Sequence, residues 1–186
     1  MTSALTVIVS GMITLARWTS RTFDHEVPLG LYPAVLERLR GTPARAAELL
    51  HQVAEPLRYW RAEPSWSAQQ HVGHLDDLHD LDIRRLQDYA SGSPVLSAAD
   101  MTNRKTDEAH HNAVSTTVLL ERLRGHREEL TRRLEELDEA QAARTARHPR
   151  LQRPMRVIDW MYFVAEHDDH HLASAREILK TARGAA

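Results

Sequence analysis

The sequence predicts an all-α protein, and its architecture is predicted to be a four-helix bundle. Apolar residues recur at three- and four-residue intervals through four long segments of the chain, which is the spacing of an amphipathic helix. No segment alternates apolar and polar residues as a half-buried strand does, and no internal repeat appears. Four such helices bury their apolar stripes most simply against one another, and a bundle of this kind builds its sites from side chains on facing helices.

The first helical segment follows a loop rich in proline and glycine, E-V-P-L-G-L-Y-P. Its apolar positions, divided by the sequence G-T-P, are Val35, Leu36, Leu39, Ala46, Leu49, Leu50, Val53 and Leu57. Proline suits the first turn of a helix, where the missing amide hydrogen costs nothing. The sequence therefore predicts a helix start at Pro43.

The second helix is predicted to begin after the loop R-A-E-P-S-W-S, with Ser65 or Ser67 as the N-cap. A serine hydroxyl accepts a hydrogen bond from a free amide of the first turn. The apolar positions that mark this helix are Val72, Leu75, Leu78, Leu86 and Tyr89. The sequence S-G-S-P at 91–94 ends the helix, and the polar stretch 98–112 predicts an ordered loop with short helical turns.

The third and fourth helices complete the predicted bundle. The leucines that mark the third helix are Leu119, Leu120, Leu123, Leu130, Leu134 and Leu137. Its run R-E-E-L-T-R-R-L-E-E-L is expected to form a solvated face, because Arg and Glu alternate there at ion-pairing intervals. The stretch R-H-P-R-L-Q-R-P breaks this helix, and the fourth is predicted over 155–180. Trp66 and Trp160 are expected to anchor the core.

Composition and charge exclude several classes of function. Lys plus Arg total 24 against 26 Asp plus Glu. The chain therefore has no excess of positive charge that would attract nucleic acid or a membrane surface. The chain has no cysteine, which excludes disulfides, a thiol nucleophile and thiolate ligands, and fits a reducing compartment. We therefore expect a cytoplasmic protein whose partner is a small-molecule substrate.

The first 16 residues form an apolar extension that precedes a single domain over 17–186. The extension lacks a basic n-region and an A-x-A cleavage site, and it is shorter than the ~20 residues of a membrane-spanning helix. We expect neither export nor insertion. The extension is either an additional packing element or the product of a translation start upstream of the true one.

The segment A-E-H-D-D-H-H-L at 165–172 carries the strongest chemical signal. Residues four apart on a helix project from one face, so His167 and His171 lie one above the other within the apolar stripe. Asp168 and His170 lie on the two shoulders of this stripe, and Asp169 projects to the opposite side. Two imidazoles that point into a core need partners, and a metal ion would satisfy both.

A third ligand is needed, since catalytic metals commonly take three protein ligands and leave one position open. The second helix reads Q-H-V-G-H-L-D-D-L-H and offers His71, His74 and His79. His71 is nearest the middle of the apolar stripe, whereas His74 lies beside Gly73, where a missing side chain permits a close approach. Helical geometry does not choose among them. His110 and His111 are expected at the protein surface, in the loop that follows the second helix.

Three pieces of sequence resemble the DinB/YfiT family of metal-binding four-helix bundles. They are W-S-A-Q-Q-H-V-G-H-L-D-D at 66–77, an arginine and H-P loop in which Arg144 or Arg147 precedes His148 and Pro149, and V-A-E-H-D-D-H-H-L at 164–172. The resemblance spans roughly 18–175, with the motifs in the family's order. It implies a DinB-like bundle with long crossover loops, and a homodimer is plausible on the same basis.

The resemblance also implies a ligand set and a chemistry. Carried over by position, the ligands are His74, His167 and His171, while His71 remains the alternative ligand on the second helix or a residue that orients one. Three imidazoles suit a divalent ion such as Zn, Ni or Fe. Some relatives resemble thiol-dependent transferases or isomerases that use low-molecular-weight thiols, and others resemble hydrolases.

These observations predict a metal-dependent enzyme that acts on a small molecule, as a thiol-dependent S-transferase or a hydrolase. The proton carriers expected near the metal are His170, Asp77 and Glu166, in that order. The alternative is a non-catalytic, metal-stabilised and stress-related module that binds a small ligand or a protein partner.

Overall fold

The structure is a computed structural model that describes residues 14–23 and 25–185. Most of the apolar extension, residues 1–13, lies outside the described residues. Its last residues, 14–16, are exposed and belong to no helix. Within the described ranges, no helix is both long enough and apolar enough to cross a membrane.

The prediction of an all-α four-helix bundle is confirmed. The helices are α1 (Tyr32–His51), α2 (Glu55–Tyr59), α3 (Ala68–Asp77), α4 (His79–Ser91), α5 (Arg104–Glu108), α6 (Thr116–Glu135), α7 (Glu139–Ala142) and α8 (Val157–Ala185). Both α1 and α3 pack mainly against α6 and α8. The chain therefore crosses the bundle between α1 and α3 and again between α6 and α8, so that α3 and α8, which are distant in sequence, lie side by side.

Pro43 does not begin a helix, and that prediction was wrong. It lies buried inside α1, which runs unbroken from Tyr32 to His51. An interior proline removes one backbone hydrogen bond and costs about 3 kcal/mol. The helix nevertheless continues because it packs along its length against α6 and α8. Thr42 Oγ1 and Arg45 Nη2 also donate hydrogen bonds to the Arg38 carbonyl, at 3.3 and 3.1 Å.

The start of α3 is the one predicted, with Ser67 as its N-cap. Ser67 Oγ accepts a hydrogen bond from the Gln70 amide at 3.1 Å, and Gln70 Oε1 accepts one from the Ser67 amide at 3.0 Å. The reciprocal bonds form a capping box. The prediction of a single second helix was wrong, however, because the helix is interrupted at Leu78, between α3 and α4. Lys105 Nζ donates to the Asp77 carbonyl at 2.8 Å, which satisfies an acceptor at the break.

A short β-hairpin joins α7 to α8, in contrast to the prediction that the chain has no strands. Strand β1 (Thr145–Arg147) pairs antiparallel with β2 (Pro154–Arg156). Each strand has three residues, and only the central pair, Ala146 and Met155, is buried. A pattern of three residues is too short to be recognised by alternation. The hairpin loop carries His148 toward the bundle.

Two apolar clusters fill the bundle at different levels. One contains Leu130, Leu134 and Trp160, which confirms Trp160 as a core anchor, and the other contains Leu50, Val72, Leu119, Leu123 and Leu172. Trp66 is in neither cluster, so the prediction that it anchors the core was wrong. Its half-buried ring instead packs against the rings of His71, His74 and His171.

A buried polar network centred on Arg127 joins four helices, α1, α4, α6 and α8. Arg127 of α6 donates to Asp82 at 3.2 Å and to Asp168 at 2.7 Å, and Thr42 Oγ1 donates to Asp168 at 2.7 Å. Asp168 is fully buried and Arg127 is 4% exposed. Arg127 therefore does not belong to the solvated face predicted for α6, and Asp168 does not lie on a wet shoulder of α8. The pattern of a single helix cannot predict that Arg127 or Asp168 is buried, because the residue of opposite charge that accompanies each of them comes from another helix.

Candidate metal centre

Three histidines converge where α3 packs against α8. The nitrogen atoms that could bind a metal, one each from His74, His167 and His171, all lie within 4.8 Å of one another. The Nε2 atoms of His167 and His171 are 3.1 Å apart. The rings of His74 and His171 have centroids 4.6 Å apart. The i, i+4 pair predicted on α8 is thus joined by one histidine of α3, and no other helix contributes to this cluster.

Burial keeps these imidazoles neutral. Desolvation lowers the pKa of His74 to about 4, and it holds the pKa values of His167 and His171 well below their usual range. Neutral imidazole is the form that binds a metal ion. Nitrogens bound to one tetrahedral ion at about 2.1 Å would be about 3.4 Å apart, and the Nε2 atoms of His167 and His171, 3.1 Å apart, are close to that separation. The donor set therefore fits a divalent metal ion.

His71 lies behind His171, on the side away from His167. The Nδ1 atoms of His71 and His171 are 3.0 Å apart, whereas Nε2 of His171 faces His167. If Nε2 of His171 is the ligand atom, its Nδ1 carries the proton and donates to Nδ1 of His71. This geometry favours His71 as a residue that orients His171. It favours His74 as the third member of the cluster.

His74 is oriented by a second chain of hydrogen bonds. Its Nδ1 lies 2.9 Å from Thr106 Oγ1, and the Thr106 hydroxyl donates to Asp77 Oδ2 at 2.9 Å. His74 Nδ1 must then be the donor, which leaves Nε2 as the atom available to a metal. Burial acts to raise the pKa of Asp77, but the hydrogen bond and charge of His111 outweigh it and lower that pKa. Asp77 is thus an ionised acceptor at the end of the chain.

His111 is buried, so its predicted position at the surface was wrong. Its ring fills the space beside Gly73, where an added Cβ would overlap it. Its Nε2 lies 2.8 Å from Asp77 Oδ2. The missing side chain of Gly73 does permit a close approach, as the sequence suggests, and the approaching group is His111. The loop between α4 and α6 is therefore packed into the site and contributes two of the polar groups behind His74.

The remaining predicted site residues lie at different distances from the cluster. His170 lies beside it, with its ring centroid 5.4 Å from that of His171, and lines the adjoining cavity. Asp77 acts on His74 only through Thr106. Glu166 forms ion pairs with Arg21 and Arg38 and is not among the residues that line the cavity. Its carboxylate is therefore engaged on the outer side of α8.

A cavity of about 480 Å³ opens onto the histidines. Its wall includes His74, His167, His170 and His171, together with apolar side chains such as Leu81 and Phe163. Trp18, from the segment before α1, contacts the rings of both His167 and Phe163, with centroid distances of 4.9 and 5.0 Å. A cavity of this size can hold a small molecule against the cluster.

The fold and the site define a four-helix bundle with a buried three-histidine cluster at the wall of a cavity. The chain belongs to the DinB superfamily, whose sequence model matches residues 38–175. Trp18 and Arg21 precede the matched residues, so the segment that covers the cluster lies outside the superfamily match. A sequence comparison with curated proteins gives no significant match.

Two solved structures share this fold. YfiT from Bacillus subtilis, described as a probable metal-dependent hydrolase with an unusual four-helix bundle topology, matches with a TM-score of 0.73 and 18% identity over 87% of this chain and 93% of its own. The mycothiol-dependent maleylpyruvate isomerase matches with a TM-score of 0.62 and 12% identity over 82% of this chain. This chain spans 62% of the isomerase. At these identities the likeness concerns the fold.

Sequence reasoning missed Thr106 and the burial of His111. Both lie in the polar stretch T-N-R-K-T-D-E-A-H-H-N, which has no periodicity that could assign a face to any residue. The paired histidines at 110 and 111 were the only signal. His110 has a φ of 49°, a left-handed conformation that sends the next residue, His111, toward α3.

Replacing Thr106 with valine is expected to weaken metal binding about 10- to 100-fold, because His74 loses the acceptor that fixes its tautomer and orientation. Valine keeps the shape of threonine, so the packing around His74 is preserved. The affinity can be measured by competition with a chromophoric chelator. Thr102→Val, at an exposed position of the same loop, is the matched control. Equal affinities for the two variants would show that Thr106 does not orient His74.

Proposed function

We propose that this protein is a metal-dependent enzyme that acts on a small molecule, as a thiol-dependent S-transferase or a hydrolase. The observation that carries the proposal is the convergence of His74, His167 and His171 at the wall of a cavity. All three are held neutral by burial. Because a neutral imidazole carries no negative charge, a divalent ion such as Zn, Ni or Fe bound by these three ligands would keep its full positive charge.

A divalent ion bound there would supply Lewis acidity, either to a water whose pKa falls to about 7 or to a low-molecular-weight thiol held as its thiolate. His74, His167 and His171 are the proposed ligands. His71 and the pair Thr106 and Asp77 position two of them.

His170 is the proposed proton carrier. It lines the cavity, and its ring contacts both His171 and Trp18. Its Nδ1 is buried and forms no hydrogen bond with any described residue, so this nitrogen is not engaged elsewhere in the protein. Asp77 is proposed as a positioning residue, since it reaches His74 only through Thr106. A role of Glu166 in proton transfer stays a prediction, and its ion pairs favour instead that it holds Arg21 and the segment before α1.

The two solved neighbours support both reactions. One is described as a probable metal-dependent hydrolase, and the other depends on mycothiol, a thiol cofactor. This chain has no cysteine, so any thiol in its reaction must come from a second molecule. Action in the cytoplasm, where such thiols are kept reduced, and assembly as a homodimer belong to the same proposal.

The test combines metal content with activity. Untagged protein is expected to hold about one divalent ion per chain by inductively coupled plasma mass spectrometry. Protein treated with a chelator and reloaded separately with zinc, nickel or iron is then assayed with a panel of ester and amide substrates, and with small electrophiles in the presence of low-molecular-weight thiols. We expect one of the two panels to show turnover that is lost on chelation and restored by one metal.

His170→Asn is the diagnostic variant for this test, because it keeps the metal ligands and removes the proposed proton carrier. It should retain metal and lose about 100-fold in rate, which is the usual contribution of general acid–base catalysis. Failure of the wild-type protein to bind metal after reconstitution would contradict the enzyme proposal. It would favour the non-catalytic binding module instead.

A further inference from the structure

The wall of the cavity beside the histidine cluster contains two buried polar side chains that use only part of their hydrogen-bonding capacity on other described residues. Arg85 is 4% exposed and His148 is 2% exposed, and both line the cavity. Native proteins rarely leave buried donors unpaired, and a buried guanidinium is costly unless an anion lies close to it. Arg85 therefore points to a ligand group of negative charge, and the neutral His148 to a hydrogen-bond acceptor.

Arg85 has no carboxylate partner among the described residues. Its Nε donates to the Ser97 carbonyl at 3.0 Å, and no ion pair within 4.0 Å is formed by its guanidinium. The nearest acidic side chain along α4, Asp82, is instead bound to Arg127. Burial acts to lower the pKa of Arg85, although an arginine remains charged in proteins. The charge of Arg85 is thus not neutralised by a bound carboxylate.

His148 presents a hydrogen-bond donor to the same region. Its Nδ1 accepts from the Leu151 amide at 3.3 Å, so the ring proton is on Nε2. No described residue accepts a hydrogen bond from that Nε2. A third group, Arg150, lines the cavity from the same loop, half-buried over the Phe163 ring at 5.7 Å. Arg85, His148 and Arg150 all line this cavity, and burial together with the charges of Arg85 and Arg150 lowers the pKa of His148 to about 3.

A wall of aromatic rings connects this part of the cavity to the histidine cluster. His148 contacts Phe163 with ring centroids 5.2 Å apart, Phe163 contacts Trp18 at 5.0 Å, and Trp18 contacts His167 at 4.9 Å. A molecule that lies along this wall would have one end at the cluster and the other at His148. Two acidic residues also line the cavity: Asp82 shares Arg127 with Asp168, and Asp100 accepts a hydrogen bond from Thr102 at the exposed rim.

We infer that the cavity takes an organic acid, with its carboxylate bound by Arg85, His148 and Arg150 and its apolar part against Phe163, so that its other end lies at the histidine cluster. Arginine binds carboxylates through two parallel N–H bonds, and the imidazole N–H supplies a third donor. The inference rests on the proposed function in taking this cavity as the substrate site. It names the class of substrate or cosubstrate, and it makes Arg85 the residue that selects it.

The test compares two probes of equal shape, 3-phenylpropionate and its neutral amide, by isothermal titration calorimetry. The full chain is used both metal-free and loaded with zinc. We expect both forms to bind the acid about tenfold or more tightly than the amide, since a hydrogen bond to a charged group contributes about 1.5–3 kcal/mol. Arg85→Gln should remove this preference, and Arg150→Gln should reduce it by a smaller factor.

Two further variants keep the result interpretable. Arg84→Gln removes the same charge from the neighbouring, exposed position of α4 and should leave the preference unchanged. Arg85→Lys keeps the positive charge if the glutamine variant does not fold, and should retain part of the preference. Equal binding of acid and amide by the wild type, or a preference that survives in Arg85→Gln, would overturn the inference.

The titrations of metal-free protein distinguish a failure of this inference from a failure of the proposed function. A preference for the acid that appears only in zinc-loaded protein would show that the carboxylate binds the metal, and would overturn the assignment to Arg85. If the chain binds no metal at all, the proposed function fails. A preference for the acid that is lost in Arg85→Gln would still support the anionic subsite in that case.

Discussion

Replacing His167 with alanine is expected to reduce the metal content of the purified protein from about one ion per chain to almost none. His167 is half-buried beside the other two histidines, and its Nε2 faces that of His171 at 3.1 Å. Two remaining imidazoles are too few for a tight site, since structural and catalytic metals take three or four protein ligands. Mass spectrometry of the metal, with wild type and variant purified in parallel, measures the loss.

The metal content of variants on α3 and α4 distinguishes the candidate ligands on these two helices. His74→Ala should lose the metal as His167→Ala does, whereas His71→Ala should retain it with an affinity weakened about 10- to 100-fold, as expected of a residue that orients a ligand. His79→Ala is the matched control, because His79 pairs with Glu129 away from the cluster. Loss of metal in His71→Ala together with full content in His74→Ala would exchange the roles assigned to these two residues.

Replacing Arg127 with methionine is expected to lower the free energy of unfolding by about 3–5 kcal/mol, which is the usual cost of breaking a buried ion pair from one side. Arg127 is bound to both Asp82 and Asp168, and these carboxylates are buried, at 3% and 0% exposed. Urea denaturation followed by circular dichroism measures the change. Arg124→Met, one turn earlier on the exposed face of α6, should change the stability by less than about 0.5 kcal/mol.

The pH dependence of the Arg127→Met variant provides a second check. Burial already raises the pKa of Asp82 to about 6 in the wild type, and removal of the guanidinium should raise it further. A carboxyl group whose folded-state pKa is raised favours folding at low pH and opposes it as the pH rises through that value. The stability lost by the variant should therefore be smaller at pH 5 than at pH 7.5. An equal loss at both pH values would show that the carboxylates are stabilised by other groups.

The sequence determined the features that depend on one helix at a time. Apolar periodicity predicted the bundle and the buried position of Trp160, and the loop before the second helix predicted a serine N-cap at position 65 or 67. The i, i+4 spacing placed His167 and His171 on one face of α8. Each of these follows from the geometry of a single helix, in which the positions of neighbouring side chains are set by 3.6 residues per turn.

Tertiary packing decided which groups meet across helices. Whether His71 or His74 joins the pair on α8 depends on how α3 is rotated against α8, and a difference of three residues is less than one turn. The burial of Arg127 depends on carboxylates supplied by α4 and α8. Its own helix shows only a charged run, typical of a solvated face.

The continuity of α1 through Pro43 and the burial of His111 have the same origin. Packing of α1 against α6 and α8 outweighs the cost of one lost backbone hydrogen bond. The space beside Gly73 admits a ring from a loop that no periodic pattern describes. The sequence by itself therefore determined the bundle and one half of the histidine cluster. The tertiary structure decided the other half and the placement of Arg85 and His148 in the cavity wall, because contacts between distant segments depend on the relative placement of helices that local spacing does not define.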